Sequence, residues 1–133
     1  TQAGNALACA AGNYLIDKLT SKGFMQQVNR SGKYFFNGLK ELQRKHSIIG
    51  YVDNCGLYTG VELVRDRKTK EPADIEANYV RDHCVEKGLL FEKGGYYQNR
   101  MQLIPPLNVE IKTLDKCIEV LDRVFHKTAK HFK

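Results

Sequence analysis

The apolar residues of this chain change their spacing once, near Ile48, and that change limits the fold more than any other feature. Before it they recur every three or four positions, at Ala8, Ala11, Leu15 and Leu19 and then at Phe24, Val28, Phe35, Leu39 and Leu42. That is the stripe of a helix. After it the run IIGYVDNCGLYTGVELV is dense in β-branched and aromatic residues and is broken by Gly50, Gly56 and Gly60, as two strands joined by a tight connection would be. An all-helical or all-strand fold is excluded.

The spacing predicts helices over 5–22 and 24–46, separated by Gly23 and paired as a hairpin. The volume-poor segment ALACAAG of the first suits close approach to another backbone. RDRKTKEPAD, with no core-forming residue, reads as a solvated loop. Residues 74–87 return to helical spacing through Ala77, Val80 and Cys84 and are closed by Gly88. LLFEK and RMQLI supply two further strands. A last helix, capped by Thr113, carries the stripe Leu114, Cys117, Ile118, Leu121, Val124, Phe125 and Thr128. The expected fold is α+β, a small mixed or antiparallel sheet packed against helices.

The stretch NRMQLIPPLN ends its strand on Pro105 and Pro106, which have no amide hydrogen to give a sheet ladder. The strand must stop at Ile104 and the chain must leave it extended. Alternation places Arg100 and Gln102 on one face and Met101 and Leu103 on the other.

At 133 residues, 42% hydrophobic and 27% charged, the chain suits a single domain with a sizeable core. Residues 1–66 hold 8 basic and 5 acidic side chains and residues 67–133 hold 13 and 10. The charge of +6 is therefore spread evenly, unlike the concentrated stripe of a nucleic-acid reader, and no nucleic acid is expected as a partner. The basic tail RVFHKTAKHFK suits the end of a helix. Cys9, Cys55, Cys84 and Cys117 are widely spaced, three of them on helical stripes, as buried free thiols would be. Metal-ligand spacing is missing, so no metal is expected. No apolar run reaches membrane-spanning length and no charged leader precedes one, so no membrane partner and a cytoplasmic location are the expectation.

Three stretches, in order, carry a family resemblance. TQAGNALACAA resembles Thr-x-x-Gly-Asn-Pro-Leu-Ala-Cys-Ala-Ala. GLYTGVELVRDRKTKEPA resembles Gly-Leu-x-x-Gly-x-Glu-Leu followed by Thr-Lys-Glu-Pro, and QLIPPLNV resembles Arg-x-x-Pro-Pro-Leu-Thr. These motifs are those of the C-terminal part of class III aminotransferases, pyridoxal-phosphate enzymes of fold type I, and the likeness runs over essentially the whole chain. Two departures are Ala6, where the family has proline, and CGL after Asn54, where it has Arg-Gly-Arg-Gly-Leu.

The resemblance implies that residues 1–133 are the C-terminal small domain of a larger enzyme, with 1–22 a domain-linking helix and 23–133 an α+β sandwich. It implies pyridoxal phosphate as cofactor, an amino acid or keto acid as substrate, and a homodimer in which Thr1 touches the cofactor phosphate of the neighbouring subunit. In the family an arginine three residues before the first proline grips the substrate carboxylate; here that residue is Gln102. Arginine offers a charged planar fork and glutamine a neutral amide. Arg100 lies on the same face, roughly 6.6 Å along the strand. Arg100 or Gln102 is thus the expected substrate contact, the alternative being a surface arginine and a sheet-edge amide.

None of the 14 lysines sits in a motif like that of the family's cofactor-bearing lysine, which precedes this region, so no catalytic residue is expected here. Other readings remain: a racemase, epimerase or decarboxylase of the same family, a transaminase of ω-amines, or a freestanding interaction module. His83 and Cys84 are helix neighbours about 100° apart and cannot readily engage as base and nucleophile. Tyr96 and Tyr97 suit a loop, Glu62 faces solvent or a helix end, and no GK[ST] follows the glycines, which excludes a nucleotide phosphate loop.

Overall fold

The computed structural model describes residues 3–132. In chain order they form α1 (Ala6–Thr20), α2 (Phe24–Lys45), β1 (Ile49–Cys55), β2 (Tyr58–Leu63), α3 (Asp74–Val85), β3 (Glu92–Gly94), β4 (Arg100–Leu103) and α4 (Ile111–His131). The sheet runs β1-β2-β4-β3 and every pairing is antiparallel. This is the α+β class read from the residue pattern.

One sheet face makes the core. Val52, Val61 and Met101 are register partners across β1, β2 and β4. With Leu103 they join Phe35 and Leu39 of α2, Ala77 and Val80 of α3, and Leu114, Leu121, Val124 and Phe125 of α4 in one buried cluster. The amphipathic stripes of α2 and α4 are therefore buried by the same residues that define them. Gly32 lets α2 approach the sheet closely: a Cβ there would lie 2.3 Å from the carbonyl oxygen of Gly56. Gly56 itself turns the β1–β2 hairpin at φ +59°, a conformation that suits glycine.

Two polar ties fix α2 to α4. Lys45 Nζ and His46 Nε2 reach the two oxygens of Asp122 at 2.7 and 2.6 Å, and Tyr34 donates its hydroxyl to Asp115 at 2.5 Å. Hydrogen bonds from Lys45 and then His46 hold the Asp122 carboxyl below its ordinary value.

Several local expectations are corrected. Helices α1 and α2 do not pack as a hairpin. Apart from the half-buried Gly12, every residue of α1 is exposed, because α1 touches α2 only slightly and no surface among the described residues covers its apolar positions. The 65–73 segment is not a free solvated loop. Arg65 spans Glu76 on α3, at 2.7 and 3.2 Å, and Glu71 at 3.0 Å. Arg67 donates to the carbonyls of Ile49 at 3.1 Å and His46 at 2.7 Å, and to that of Gln43. Ala73 is fully buried, and Val64 bridges Pro72.

Thr113 is not the cap of α4. The helix begins at Ile111 after Glu110, and Thr113 donates its amide to the Glu110 carbonyl at 3.0 Å. The LLFEK strand shrinks to Glu92–Gly94 because Leu89 is drawn back to close α3, its amide bonding the Cys84 carbonyl at 2.9 Å. Cys84 is buried and Cys117 half-buried, but Cys9 and Cys55 are exposed, since the stripe carrying Cys9 faces nothing. Among the described residues no helix is long and apolar enough to cross a membrane.

Candidate functional site

The sheet face opposite the core is polar and open. Register puts Asp53, Gly60, Gln102 and Glu92 in one row across the four strands and Tyr51, Glu62, Arg100 and Gly94 in the next. Arg100 and Gln102 do share this face, half-buried, while Met101 and Leu103 turn inward and are buried. Strand β4 lies between β2 and β3, so Gln102 is not a sheet-edge amide.

Arg100 does not point freely outward. Its Nη2 meets Asp53 Oδ1 at 2.5 Å, across the intervening strand β2. Gly60 makes that path possible: a Cβ there would lie 2.0 Å from Arg100 Nη2 and 2.6 Å from Asp53 Oδ1. Glycine in a strand interior weakens it, and here it marks the close passage of another group. The Tyr58 hydroxyl donates to Gln102 Oε1 at 3.4 Å, leaving the amide nitrogen of Gln102 toward Gly94, where a Cβ would sit 3.2 Å away.

The loop before β4 holds this arrangement. Gln98 adopts φ +54° and its amide bonds the Gly95 carbonyl at 3.1 Å. Asn99, buried, donates its side-chain amide to the Leu63 carbonyl at 2.7 Å and accepts the Leu63 amide on its own carbonyl at 2.9 Å. These bonds set the start of β4 against the end of β2. Tyr96 and Tyr97 form an exposed edge-to-face pair in the same loop, centroids 4.9 Å apart.

Beside the Arg100 row a cavity of about 290 Å³ is lined by Gly50, Tyr51, Glu62, Val64, Arg67 and Lys70. The residue pattern left Glu62 at a solvent or helix-end position; it stands on the outward face, half-buried, and lines this cavity. At the other end of β4 the prolines do not extend the polar face. The strand stops at Leu103, one residue before Ile104, and Pro105 and Pro106 turn onto the helical side. There they line an apolar cavity of about 230 Å³ with Phe35, Leu89, Val109 and Leu114.

The neighbouring His83 and Cys84 form no dyad. His83 Nδ1 donates to the Tyr79 carbonyl at 2.9 Å and its ring lies 3.9 Å from that of Tyr79, while burial pushes the Cys84 thiol up to about 12. Among the described residues no three of His, Cys, Asp or Glu gather to hold a metal ion. Thr1 lies outside the described residues. Asp53, Gly60, Tyr58 and Asn99 were missed from the sequence. Only Gly60, a glycine inside a strand pattern, carried a readable signal.

The chain is similar to known proteins along nearly all its length. Residues 1–125 match the family described as Aminotransferase class-III. The mitochondrial alanine–glyoxylate aminotransferase 2 homolog 2 of Arabidopsis thaliana is 36% identical over 92% of this chain and 26% of its own. The leucine/methionine racemase of Thermococcus litoralis is 34% identical over 92% of this chain and 27% of its own. Among solved structures, a Bacillus anthracis aminotransferase superposes with a TM-score of 0.84 at 29% identity, covering 90% of this chain and 28% of that one. The chain thus spans about a quarter of the length of the curated relatives it matches.

Pyridoxal phosphate needs a desolvated lysine amine and a cradle for its phosphate. Among the described residues no lysine is buried. The two half-buried ones donate elsewhere, Lys40 to Gln43 Oε1 at 2.6 Å and Lys93 to the Gln98 carbonyl at 2.9 Å. The described residues do not fit the reactive end of that cofactor.

Proposed function

This chain belongs to the class III aminotransferase family, and from that premise we propose that it is the C-terminal small domain of a dimeric, cytoplasmic pyridoxal-phosphate enzyme that transfers an amino group between an amino acid and a keto acid. The observation that carries the reading is the family match over residues 1–125. In this proposal the cofactor and the reacting lysine belong to the rest of the enzyme. This domain lays its open sheet face toward the active site, where Gln102 and the Arg100–Asp53 pair meet the substrate. Thr1 serves the phosphate of the neighbouring subunit's cofactor. The uncovered apolar side of α1, with Leu7, Tyr14, Leu15 and Ile16 all more than half exposed, supports a linking helix that seats against that larger part.

The test is made on the natural full-length protein. A visible absorbance band abolished by borohydride, together with keto-acid product from a panel of amino donors and acceptors, supports the proposal. A protein that purifies without the band, and in which added pyridoxal phosphate produces none, overturns it. One observation favours a second reading, racemisation: the 34% identity to the leucine/methionine racemase. Loss of optical activity from a single amino acid, with no keto acid required, would decide for it.

A further inference from the structure

On the reading that the open sheet face meets the substrate, we infer that Asp53 is a specificity-determining positioning residue: it holds the guanidinium of Arg100 across Gly60 and withholds that cation from a substrate carboxylate. The two outward rows contain three carboxylates, Asp53, Glu62 and Glu92, and one cation, Arg100. Arg100 Nη2 is engaged with Asp53 at 2.5 Å, and no hydrogen bond or ion pair joins it to Glu62, its direct cross-strand partner.

Only the bare backbone of Gly60 leaves room for this crossing, since any side chain there would overlap both Arg100 and Asp53. The remaining polar group on β4 that faces outward is the neutral amide of Gln102. A substrate end approaching these two rows meets the carboxylates of Glu62 and Glu92 and a neutral amide. Of the cations beside Glu62, Arg67 is spent on the carbonyls of Ile49 and His46 and Lys70 stands at the cavity margin, so a second carboxylate at the Gln102 row is disfavoured by the lack of a free fork. The chemical class that fits is an amino donor whose far end is neutral or cationic, in preference to a dicarboxylate.

Asp53 is half-buried at the surface of the sheet, with its side chain 43% exposed, so replacing it removes a partner without opening a cavity. The experiment is calorimetric titration of glutarate, a plain dicarboxylate, into the full-length protein and its variants. Asp53→Asn should bind glutarate about tenfold more tightly than the unaltered protein, because a charged guanidinium becomes available. Asp53→Glu, which keeps the carboxylate, should stay near the unaltered affinity, and Asp53→Asn combined with Arg100→Leu should lose the gain. Asp53→Ser gives a second route to the same release should the asparagine variant fail to fold.

Unchanged glutarate affinity in folded Asp53→Asn and Asp53→Ser overturns the inference, as does a gain that survives removal of Arg100. Binding is read without turnover, so a protein that transfers no amino group sinks the proposed reaction while this result still stands or falls by itself. Where turnover is measurable, the gain belongs in KM for dicarboxylic donors and disappears when Arg100 is replaced as well.

Discussion

Helices α1 and α4 have apolar residues at the same helical spacing and opposite fates. α4 buries Leu114, Leu121, Val124, Phe125 and Thr128 where it packs on α2 and α3; α1 buries nothing. α4 confines its apolar residues to the sharper stripe and α1 is apolar over more of its circumference, and the two differ further in what lies opposite. A stripe on a helix is an offer to pack, and only a facing surface makes it a contribution to stability. α4 helps hold this domain together, whereas α1 contributes to it little beyond chain connection.

The contrast can be tested, first through thiols. Burial pushes the Cys117 thiol from 9.0 up to about 12, which cuts the reactive thiolate at neutral pH by roughly a thousandfold. Iodoacetamide added to the native 133-residue chain should label the exposed Cys9 of α1 quickly and Cys117 of α4 only on unfolding, as peptide mass mapping would read. Equal labelling of the two would break the comparison.

Next in size is a core truncation. Phe125→Ala in α4 removes a side chain with no exposed surface and should cost about 3–5 kcal/mol in denaturant unfolding. Leu15→Ala in α1, 57% exposed, should change stability by less than about 0.5 kcal/mol. The glycines give a finer pair. A Cβ at Gly12 in α1 would meet nothing within 4 Å, so Gly12→Ala should stabilise by about 0.5–1 kcal/mol through helix propensity. A Cβ at Gly38 of α2 would meet Ile118 of α4 at 2.3 Å. There the cost of moving Ile118, about 1–3 kcal/mol for an overpacked contact, opposes the same gain, and Gly38→Ala should come out less stable than Gly12→Ala.

The smallest effect is electrostatic. Asp122 of α4 is held below 3.8 by Lys45 and His46, so its contribution is present above that value and is lost as pH falls through the depressed one. Asp122→Asn should therefore lower stability near neutral pH by no more than about 1 kcal/mol, as expected for a partly exposed pair. The gap between variant and unaltered chain should close below about pH 4 in acid titrations of unfolding. A gap that widened in acid would contradict the assignment.

The element order was legible because spacing alone separates helix from strand, and the stripes of α2 and α4 were named from it residue by residue. Boundaries slipped where a tertiary bond outbid local preference. Leu89 left the expected strand for the end of α3, and α4 began before the threonine that looked like its cap. The site was half legible. Alternation put Arg100 and Gln102 on one face, but nothing near Arg100 in sequence announces Asp53, 47 positions away. The proline pair read as the close of a substrate-facing strand; it follows the strand end at Leu103 and lines an apolar cavity beside α2 and α4.

By itself the sequence determined the alternation of apolar and polar positions, the glycines that permit close passage and the motifs that mark the family, all local properties of a covalent chain. Which charge finds which partner was decided only by the fold. An antiparallel register brings β1 and β4 to either side of β2, and a guanidinium reaches the nearest carboxylate across whatever strand leaves it room. The same reason governs α1 and α4. A stripe is written along one helix, but the surface that buries it belongs to the rest of the molecule.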